Sequence, residues 1–394
     1  MPADVHDLEA FREMFRAWVR NRFPVRDPHV DDDRTDPIPR APEGHDAFVS
    51  NAKALQQALF AAGFAGMGVP VEYGGHGLTR SYDDVVTDEL MLADTPSRRG
   101  LGIGPYLALP TILHAGSEEQ RCRYLRGILA GEELWCQLFS EPEAGSDLVS
   151  LRTRAVADGD HFVLNGQKVW SSFASDADFG LLLARTNPDA PKPHAGISMF
   201  ILPMRADGVL VRPLVDIAGG HHFNEVFLTD VVLGPELIIG ELNCGWDVAN
   251  LTLGGERRVY MGGSGNGRRR RQVLEAARRH TRTDDPNFRQ RIVTAIADEW
   301  LLERLRDRIE GGQVMGGHPA AGSMMKLAAG SLEQRVAELV FDISGPAGAA
   351  WSADDADGDR ASHALNASRQ STIAGGSHQI QRNLLGERVL GLPR

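Results

Sequence analysis

Basic residues, cysteines and long apolar runs are all scarce in this chain of 394 residues. Lys and Arg number 42 against 53 Asp and Glu, which gives a formal net charge of −11. Proteins that bind nucleic acid present a concentrated basic surface, whereas the dense basic run of this chain is limited to residues 268–271. The charge balance therefore argues against nucleic acid as a partner.

The three cysteines, Cys122, Cys136 and Cys244, are odd in number and lack CxxC spacing. Because they suggest neither a disulfide framework nor a zinc site, we expect no metal and a reducing compartment. A run of about 18 apolar residues is missing, and the acidic start of the chain does not resemble a secretory signal. We therefore expect a cytoplasmic protein that is not processed and does not enter a membrane.

Hydrophobic periodicity divides the chain into a helical, a strand-rich and a second helical region. Strands and helices would alternate in a doubly wound fold, so this order excludes that fold. The length agrees with two or three units at about 150 residues each. We predict an α+β multi-domain protein with an N-terminal all-α domain over 1–135, a middle antiparallel β-barrel-like domain over 136–240, and a C-terminal four-helix bundle over 241–394.

Glycine and proline predict several of the connections. Asp158-Gly159 and Asn165-Gly166 are both hairpin signals, so we predict a tight turn at each. The Pro- and Asp-rich stretch over 24–42 predicts a surface connection. A glycine turn followed by Ser377 predicts an N-cap and a last helix, whose free N–H groups would suit an anion.

The segment 135–147 joins an apolar strand to a polar turn that contains Pro142 and Gly145. Since these two residues interrupt a strand ladder, hydroxyl and N–H groups near Ser140 and Ser146 remain available to a ligand. An ordinary corner between strand and loop is the alternative. We interpret the segment as a cradle for a flavin ring and an acyl thioester.

The helix predicted over 246–261 carries Glu256 on its apolar stripe, three residues after Leu253. Burial disfavours the charged form of a carboxyl group and raises its pKa, which suits a general base near neutral pH. The glycines that precede Glu256 leave space for a ligand. A surface glutamate paired with Arg257 or another basic residue is the alternative.

The sequence 253–257, Leu-Gly-Gly-Glu-Arg, follows 223–227 and 240–246 in an order that resembles the acyl-CoA dehydrogenase family over nearly the whole chain. The resemblance implies an FAD enzyme that converts an acyl-CoA into a trans-2-enoyl-CoA, with Glu256 abstracting the α-proton and flavin N5 accepting the β-hydride. Many members carry the base in a C-terminal Tyr-Glu-Gly-Thr loop, where this chain has Gly375. The chain is therefore similar to the group, including isovaleryl-type enzymes, whose base lies on the helix.

The same resemblance assigns further residues to the site. It implies that the Ser140 hydroxyl reaches flavin N5 and that the Trp170 indole stacks against the flavin. The other residues that it assigns to FAD are Gln137, Phe139, Ser172, Arg279, Ser377 and Gln379, and those assigned to the substrate are Gly145, Ser146 and Arg257. The chain departs from the family pattern beside Arg279, where a Phe-Gly pair is missing, and at Asp342, where many relatives have a glutamine near the FAD pyrophosphate.

The resemblance also implies partners. They are an acyl-CoA or acyl carrier protein thioester as substrate, an electron-transferring flavoprotein, and further copies in a homo-tetramer or mixed tetramer. A helix-borne base is compatible with branched or bulky acyl groups, whose length the residues leave open. The missing loop base favours one alternative, a flavin-binding, non-catalytic partner subunit of a mixed assembly. A monooxygenase would need no α-proton base, so Glu256 argues against it.

Three other motifs receive a structural interpretation. The glycine-rich stretch 263–267 lacks the strand and the Lys-Ser/Thr pair of a phosphate loop. His221 and His222 are adjacent, so on a strand their side chains would point to opposite faces and would not share a metal. We interpret Arg268–Arg271 as the solvated start of a helix, and the alternative is contact in a tetramer with the 3′-phosphate of a CoA or with an acidic neighbour.

Overall fold

The computed structural model describes residues 7–25, 42–262, 267–318, 320–350 and 356–393, with the backbone alone at 42–43, 255–262, 317, 350 and 356–358. The described residues form two compact units. The first comprises residues up to 216 together with 220–252, and the second comprises 217–219 and the chain from 253 onward. Most of the predicted surface connection, over 26–41, and most of the glycine-rich stretch, over 263–266, lie outside the described residues.

The first region of the chain is helical, as its periodicity predicts. Its helices are α1 (Leu8–Arg20), α2 (Pro42–Ala61), α3 (Arg80–Met91), α4 (Leu109–Ala115) and α5 (Glu118–Ala130). Helix α1 begins where the Asp7 carboxylate accepts the N–H of Glu9, and it buries Phe11 and Phe15 one turn apart. Glu89 on α3 is buried and accepts hydrogen bonds from two arginines of α1, which ties these helices together.

The middle region forms one sheet of eight strands. They are β1 (Trp135–Leu138), β2 (Arg154–Asp158), β3 (His161–Lys168), β4 (Phe179–Arg185), β5 (Ile197–Pro203), β6 (Val209–Leu214), β7 (Phe223–Leu233) and β8 (Ile238–Ile239). Their order is β6-β7-β3-β2-β4-β5-β8, and β1 pairs with β4 from outside this path. The predicted β-domain is confirmed, and its pairs are antiparallel except for β4 with β1 and with β2, which are parallel.

The two predicted hairpin turns have different outcomes. Asp158-Gly159 does join β2 to β3, with Gly159 at a φ of +63°. The prediction of a turn at Asn165-Gly166 is wrong, because β3 continues through it to Lys168 and the pairing with β7 shifts register there. Gly166 fits this irregularity because a Cβ on it would lie 2.7 Å from the Cα of Thr153.

The last region is helical, with α9 at its centre. After α6 (Gly245–Gly262), its helices are α7 (Arg268–Arg279), α8 (Pro286–Glu310), α9 (Ala321–Ser344), α10 (Pro346–Ala350), α11 (Ala356–Ala367) and α12 (His378–Arg388). Helices α7, α8, α11 and α12 all pack against α9. The predicted helical C-terminal region is thus confirmed, whereas the exact domain boundaries over 1–135, 136–240 and 241–394 stay a prediction.

The start of α7 is not solvated as its sequence suggests. Arg269 is 5% exposed, and its Nε lies 2.8 Å from an oxygen of Glu333 on α9. Arg268 also pairs with Glu333, while buried Glu299 of α8 accepts the N–H groups of Arg269 and Arg270. The solvated interpretation is therefore wrong for these residues, because acidic partners from α8 and α9 meet the first turn of α7.

Within the described ranges, each helix is either too short or too polar to cross a membrane.

Candidate functional site

The turn after β1 lies against the end of β3. The carbonyl of Ser140 accepts the N–H of Val169 at 3.0 Å, which brings the segment 139–141 beside 168–170. Ser140 is half-buried, and among the described residues its hydroxyl has no hydrogen-bond partner. The structure thus brings together Ser140 and Trp170, two residues that the sequence assigns to one cofactor.

Trp170 has an unusual backbone and an exposed ring. Its φ is +61°, a left-handed conformation that few bulky residues adopt. The indole is 58% exposed, and one edge contacts Phe223, whose ring centroid lies 5.7 Å away. Since an exposed aromatic face suits stacking, this ring is available to a flat ligand.

Polar atoms without partners lie next to this indole. Ser171 donates its N–H to the carbonyl of Asn224, and the Asn224 amide donates to the carbonyl of Ser171. The hydroxyl of Ser171 and the side-chain oxygen of Asn224 are nevertheless buried without a hydrogen-bond partner among the described residues. Since buried polar atoms are normally satisfied, these two are exceptions in the segment around Trp170.

The remaining predicted residues of the first unit occupy different environments. Gln137 is half-buried on β1, opposite Leu181 of β4, and Phe139 is buried. Gly145 is exposed, and a Cβ built on it would meet no described heavy atom within 4 Å. The others are Ser146, which is exposed, and Ser172, which is half-buried. The open surface at Gly145 leaves room for a ligand to approach the backbone.

A buried ion pair joins Glu141, next to Ser140 in the chain, to the end of β3. The Nζ of Lys168 lies 2.8 Å from Oε1 of Glu141 and 3.0 Å from the carbonyl of Phe139. Burial lowers the pKa of Lys168 to about 8, although Glu141 opposes the shift. Burial alone would raise the pKa of Glu141, but Lys168 and backbone N–H groups outweigh it and hold that pKa below its ordinary value. Both groups are therefore charged at neutral pH.

Sequence reasoning missed this pair, although a signal for it exists. Three residues at even positions of β3 point to the same face of the sheet and are buried, namely Phe162, Leu164 and Lys168. A lysine on the buried face of a strand needs an acidic partner. Glu141, which follows Ser140 in the segment 135–147, is such a residue. Sequence reasoning also missed Asn224, for which no such pattern exists.

Glu256 and Arg257 lie on α6, and the predicted helix over 246–261 agrees with its backbone. Their side chains are outside the described residues, so the burial of Glu256 stays a prediction. A Cβ on Gly254, two residues earlier, would meet no described heavy atom within 4 Å.

The second unit contains the predicted helix cap. The Ser377 hydroxyl accepts the N–H of Ile380 at 3.3 Å, so Ser377 is the N-cap of α12 as predicted, and Gln379 is exposed in its first turn. Gly375 and Gly376 have φ values of +68° and +88°. A glutamate in place of Gly375 would be strained at such a φ, which agrees with the absence of a base in this loop.

Two residues at which the chain departs from the family pattern lie elsewhere in this unit. Arg279 is exposed at the last position of α7. Asp342 is exposed, and its carboxylate lies 2.6 Å from the guanidinium of Arg291. The histidine pair does not resemble a metal site, because His222 is buried with its ring centroid 4.0 Å from that of Phe223.

Sequence comparison matches three domains of one family in chain order. They are described as "Acyl-CoA dehydrogenase, N-terminal domain" over residues 6–132, "Acyl-CoA dehydrogenase, middle domain" over 136–231 and "Acyl-CoA dehydrogenase, C-terminal domain" over 243–390. The chain is 36% identical to "Acyl-CoA dehydrogenase IpdE1" of Mycobacterium tuberculosis over 397 residues, which covers 99% of each chain.

Solved structures share the fold over the whole chain. The "Tcur3481-Tcur3483 steroid ACAD" is 27% identical with a TM-score of 0.80, over 99% of this chain and 100% of that one. The "ChsE4-ChsE5 complex from Mycobacterium tuberculosis" is 26% identical with a TM-score of 0.74, over 100% of both chains.

Proposed function

The chain belongs to the acyl-CoA dehydrogenase family, whose members are FAD-dependent oxidoreductases, and we propose that it carries out the α,β-dehydrogenation of an acyl-CoA. The observation that carries this proposal is the exposed Trp170 indole, held at positive φ beside the unbonded hydroxyl of Ser140.

In the proposed reaction the α C–H bond gives its proton to the carboxylate of Glu256. The β-hydrogen leaves with its electron pair, and a double bond forms between the two carbons. FAD, when bound, supplies the acceptor for this hydride. One feature supports Glu256 as the base: Gly375 provides no side chain in the loop where other members carry theirs.

The family resemblance supplies the residues that we propose to hold FAD. In the first unit we assign Trp170 to stacking, Ser140 and Ser172 to hydrogen bonds with the ring, and Gln137 and Phe139 to the strand that supports it. In the second unit Ser377 and Gln379 lie in the first turn of α12, where N–H groups favour a pyrophosphate. Arg279 is a further candidate for the same anion. We assign Gly145, Ser146 and Arg257 to the acyl thioester.

We propose a branched or bulky acyl-CoA as substrate, because one structural relative is titled a steroid enzyme and the proposed base is on the helix. The alternative to CoA as the carrier of the acyl group is an acyl carrier protein. Electrons would pass to an electron-transferring flavoprotein. The odd cysteine count and lack of CxxC spacing favour a reducing, cytoplasmic location for the reaction.

Anaerobic titration of the FAD-loaded protein with acyl-CoAs tests the proposal. At least one branched, steroid side-chain or straight-chain acyl-CoA should bleach the visible absorbance of oxidised flavin. Glu256→Gln should bind the same thioester and bleach far more slowly, whereas Asp247→Asn on the same helix should bleach like the unaltered protein. Bleaching by Glu256→Gln as fast as by the unaltered protein would contradict the assignment of the base.

A second candidate function is a non-catalytic, flavin-binding partner subunit. It is favoured by the missing loop base at Gly375 and by the relatives whose titles pair two proteins, Tcur3481-Tcur3483 and the ChsE4-ChsE5 complex. Under this function the pure protein would bind FAD but stay oxidised with every acyl-CoA, and bleaching would need a second, homologous chain.

A further inference from the structure

Lys168 and Glu141 form an interior ion pair that the proposed reaction does not use. Lys168 is fully buried at the end of β3, and it donates to the Phe139 carbonyl at 3.0 Å and to Glu141 at 2.8 Å. It therefore contacts the residues on both sides of Ser140 without contacting the Ser140 hydroxyl.

Glu141 extends this connection to a third segment. Its two carboxylate oxygens accept the backbone N–H groups of Arg152 at 2.6 Å and Thr153 at 2.9 Å, just before β2. One acid and one lysine thus join the turn after β1, the end of β3 and the entry to β2. Hydrogen bonds to charged groups are short and strong, so this junction is stiff.

The chain that follows Lys168 is strained. Trp170 and Phe173 are non-glycine residues with φ values of +61° and +57°. Such conformations persist only where the surroundings hold them. Backbone hydrogen bonds hold this segment on both sides, from Val169 to the Ser140 carbonyl and from Ser171 to the Asn224 carbonyl.

We propose that Lys168 and Glu141 are positioning residues for the flavin cradle: they fix the turn around Ser140 against the end of β3, so that the Ser140 hydroxyl and the Trp170 indole keep one spacing. This inference rests on the proposed function, because it assumes that the cradle holds the flavin ring.

The pair is better explained by geometry than by stability. Replacing a buried ion pair with apolar residues is often neutral or stabilising, so stability alone gives little reason for burying these charges. A binding site instead needs its contacting groups locked by the residues behind them. Lys168 reaches two acceptors that flank Ser140, which an apolar side chain of the same length would not hold.

The test compares two buried glutamates of the first unit. Glu141→Gln breaks the junction next to Ser140, whereas Glu89→Gln replaces a similarly buried glutamate that joins α1 to α3. The double variant Lys168→Met/Glu141→Gln removes both charges, so it leaves no buried charge without a partner. It therefore allows the test to be made even if the single variant fails to fold. FAD affinity, the visible circular dichroism of bound flavin and the thermal midpoint are measured for each full-length protein.

The inference predicts that Glu141→Gln and the double variant raise the Kd for FAD about tenfold and change the flavin circular dichroism. Glu89→Gln should lower the thermal midpoint but bind FAD with unaltered affinity and spectrum. Equal FAD binding by the unaltered protein and a folded Lys168→Met/Glu141→Gln would overturn the inference while leaving the proposed function intact. Equal weakening by Glu89→Gln would also overturn it, and an unaltered protein that binds no FAD would contradict the proposed function as well.

Discussion

At the scale of single residues, Trp170 combines two properties that rarely occur together. Its backbone adopts a costly left-handed conformation, and its large apolar ring is more than half exposed. A core tryptophan would recover that cost through burial, but this one does not. A ligand that covers the indole would account for both properties.

Replacing Trp170 with alanine should therefore affect binding more than stability. We expect the thermal midpoint to change little, because the ring buries little surface within the chain. The Kd for FAD should rise about two- to tenfold, since an aromatic stacking contact contributes about 0.5–1.5 kcal/mol. Fluorescence titration with FAD measures the change. Trp18→Phe, within the stacked rings of the N-terminal core, should leave the Kd unaltered. An equal effect of both substitutions would contradict the stacking role.

The sequence predicted local backbone features correctly where a single residue type determines the backbone conformation. The N-cap at Ser377 and the turn at Gly159 follow from short-range preferences. Asn165-Gly166 shows the limit of such rules, because Gly166 lies so close to Thr153, just before β2, that a Cβ would not fit there. The Lys168–Glu141 pair depends on the same long-range packing, which local patterns do not specify.

At the scale of elements, the start of α7 is held by acids from two neighbouring helices. Arg268 and Arg269 face Glu333 of α9, and Glu299 of α8 caps the first turn of α7. Burial would raise the pKa of Glu333, but the two arginines outweigh it and lower that pKa to about 2. This carboxylate therefore stabilises the helical unit only while it is ionised.

The depressed pKa of Glu333 predicts a specific dependence of stability on pH. Its contribution is fully present above its ordinary pKa of about 4.5 and is lost as the pH falls toward 2. Glu333→Gln should lower the free energy of unfolding at pH 7 by on the order of 2–3 kcal/mol. The difference in urea midpoint between unaltered and variant proteins should shrink below pH 4.5.

Glu338→Gln is the matched control, because Glu338 lies on the same helix in a largely exposed pair with Arg369. Exposed pairs contribute about 0–1 kcal/mol, so its urea midpoint should stay close to that of the unaltered protein. If the urea midpoint of Glu333→Gln differed from that of the unaltered protein by the same amount at pH 7 and pH 3, the proposal that Glu333 stabilises the protein only when ionised would be contradicted.

Element types were more predictable than element partners. Helices with caps and apolar stripes, such as α1 and α5, are clear from sequence because their signals are local. The run Arg268–Arg271 has the composition of a solvated surface, yet acids more than 28 residues away along the chain turn it inward. The pattern of apolar residues along a strand likewise does not predict a parallel pair such as β1 with β4.

At the scale of the whole molecule, α8 presents an apolar face. Val293, Trp300 and Leu301 are each more than half exposed, and a groove of about 400 Å³ is lined by Ala297, Trp300, Leu301 and Arg304. Exposed apolar patches of this kind mark contact surfaces. We expect such a face to be covered in the homo-tetramer or mixed tetramer that the family resemblance implies.

We predict that Trp300→Glu weakens assembly by placing a charge in this contact. Native mass spectrometry of the unaltered protein should show four copies of the 42.9 kDa chain, and the variant should show smaller species. Val156→Glu, at an exposed position of β2, should keep the mass of the unaltered protein. An unaltered protein that is already monomeric would contradict the prediction.

The account depends most on Glu256 as the base that removes the α-proton. The most direct measurement is the rate of flavin reduction after anaerobic rapid mixing of the FAD-loaded protein with an acyl-CoA that bleaches it. The account predicts that Glu256→Gln slows this rate by about 10²–10⁴-fold, with thioester binding retained and Asp247→Asn unaffected. Reduction of the Glu256→Gln flavin at the rate of the unaltered protein would contradict it.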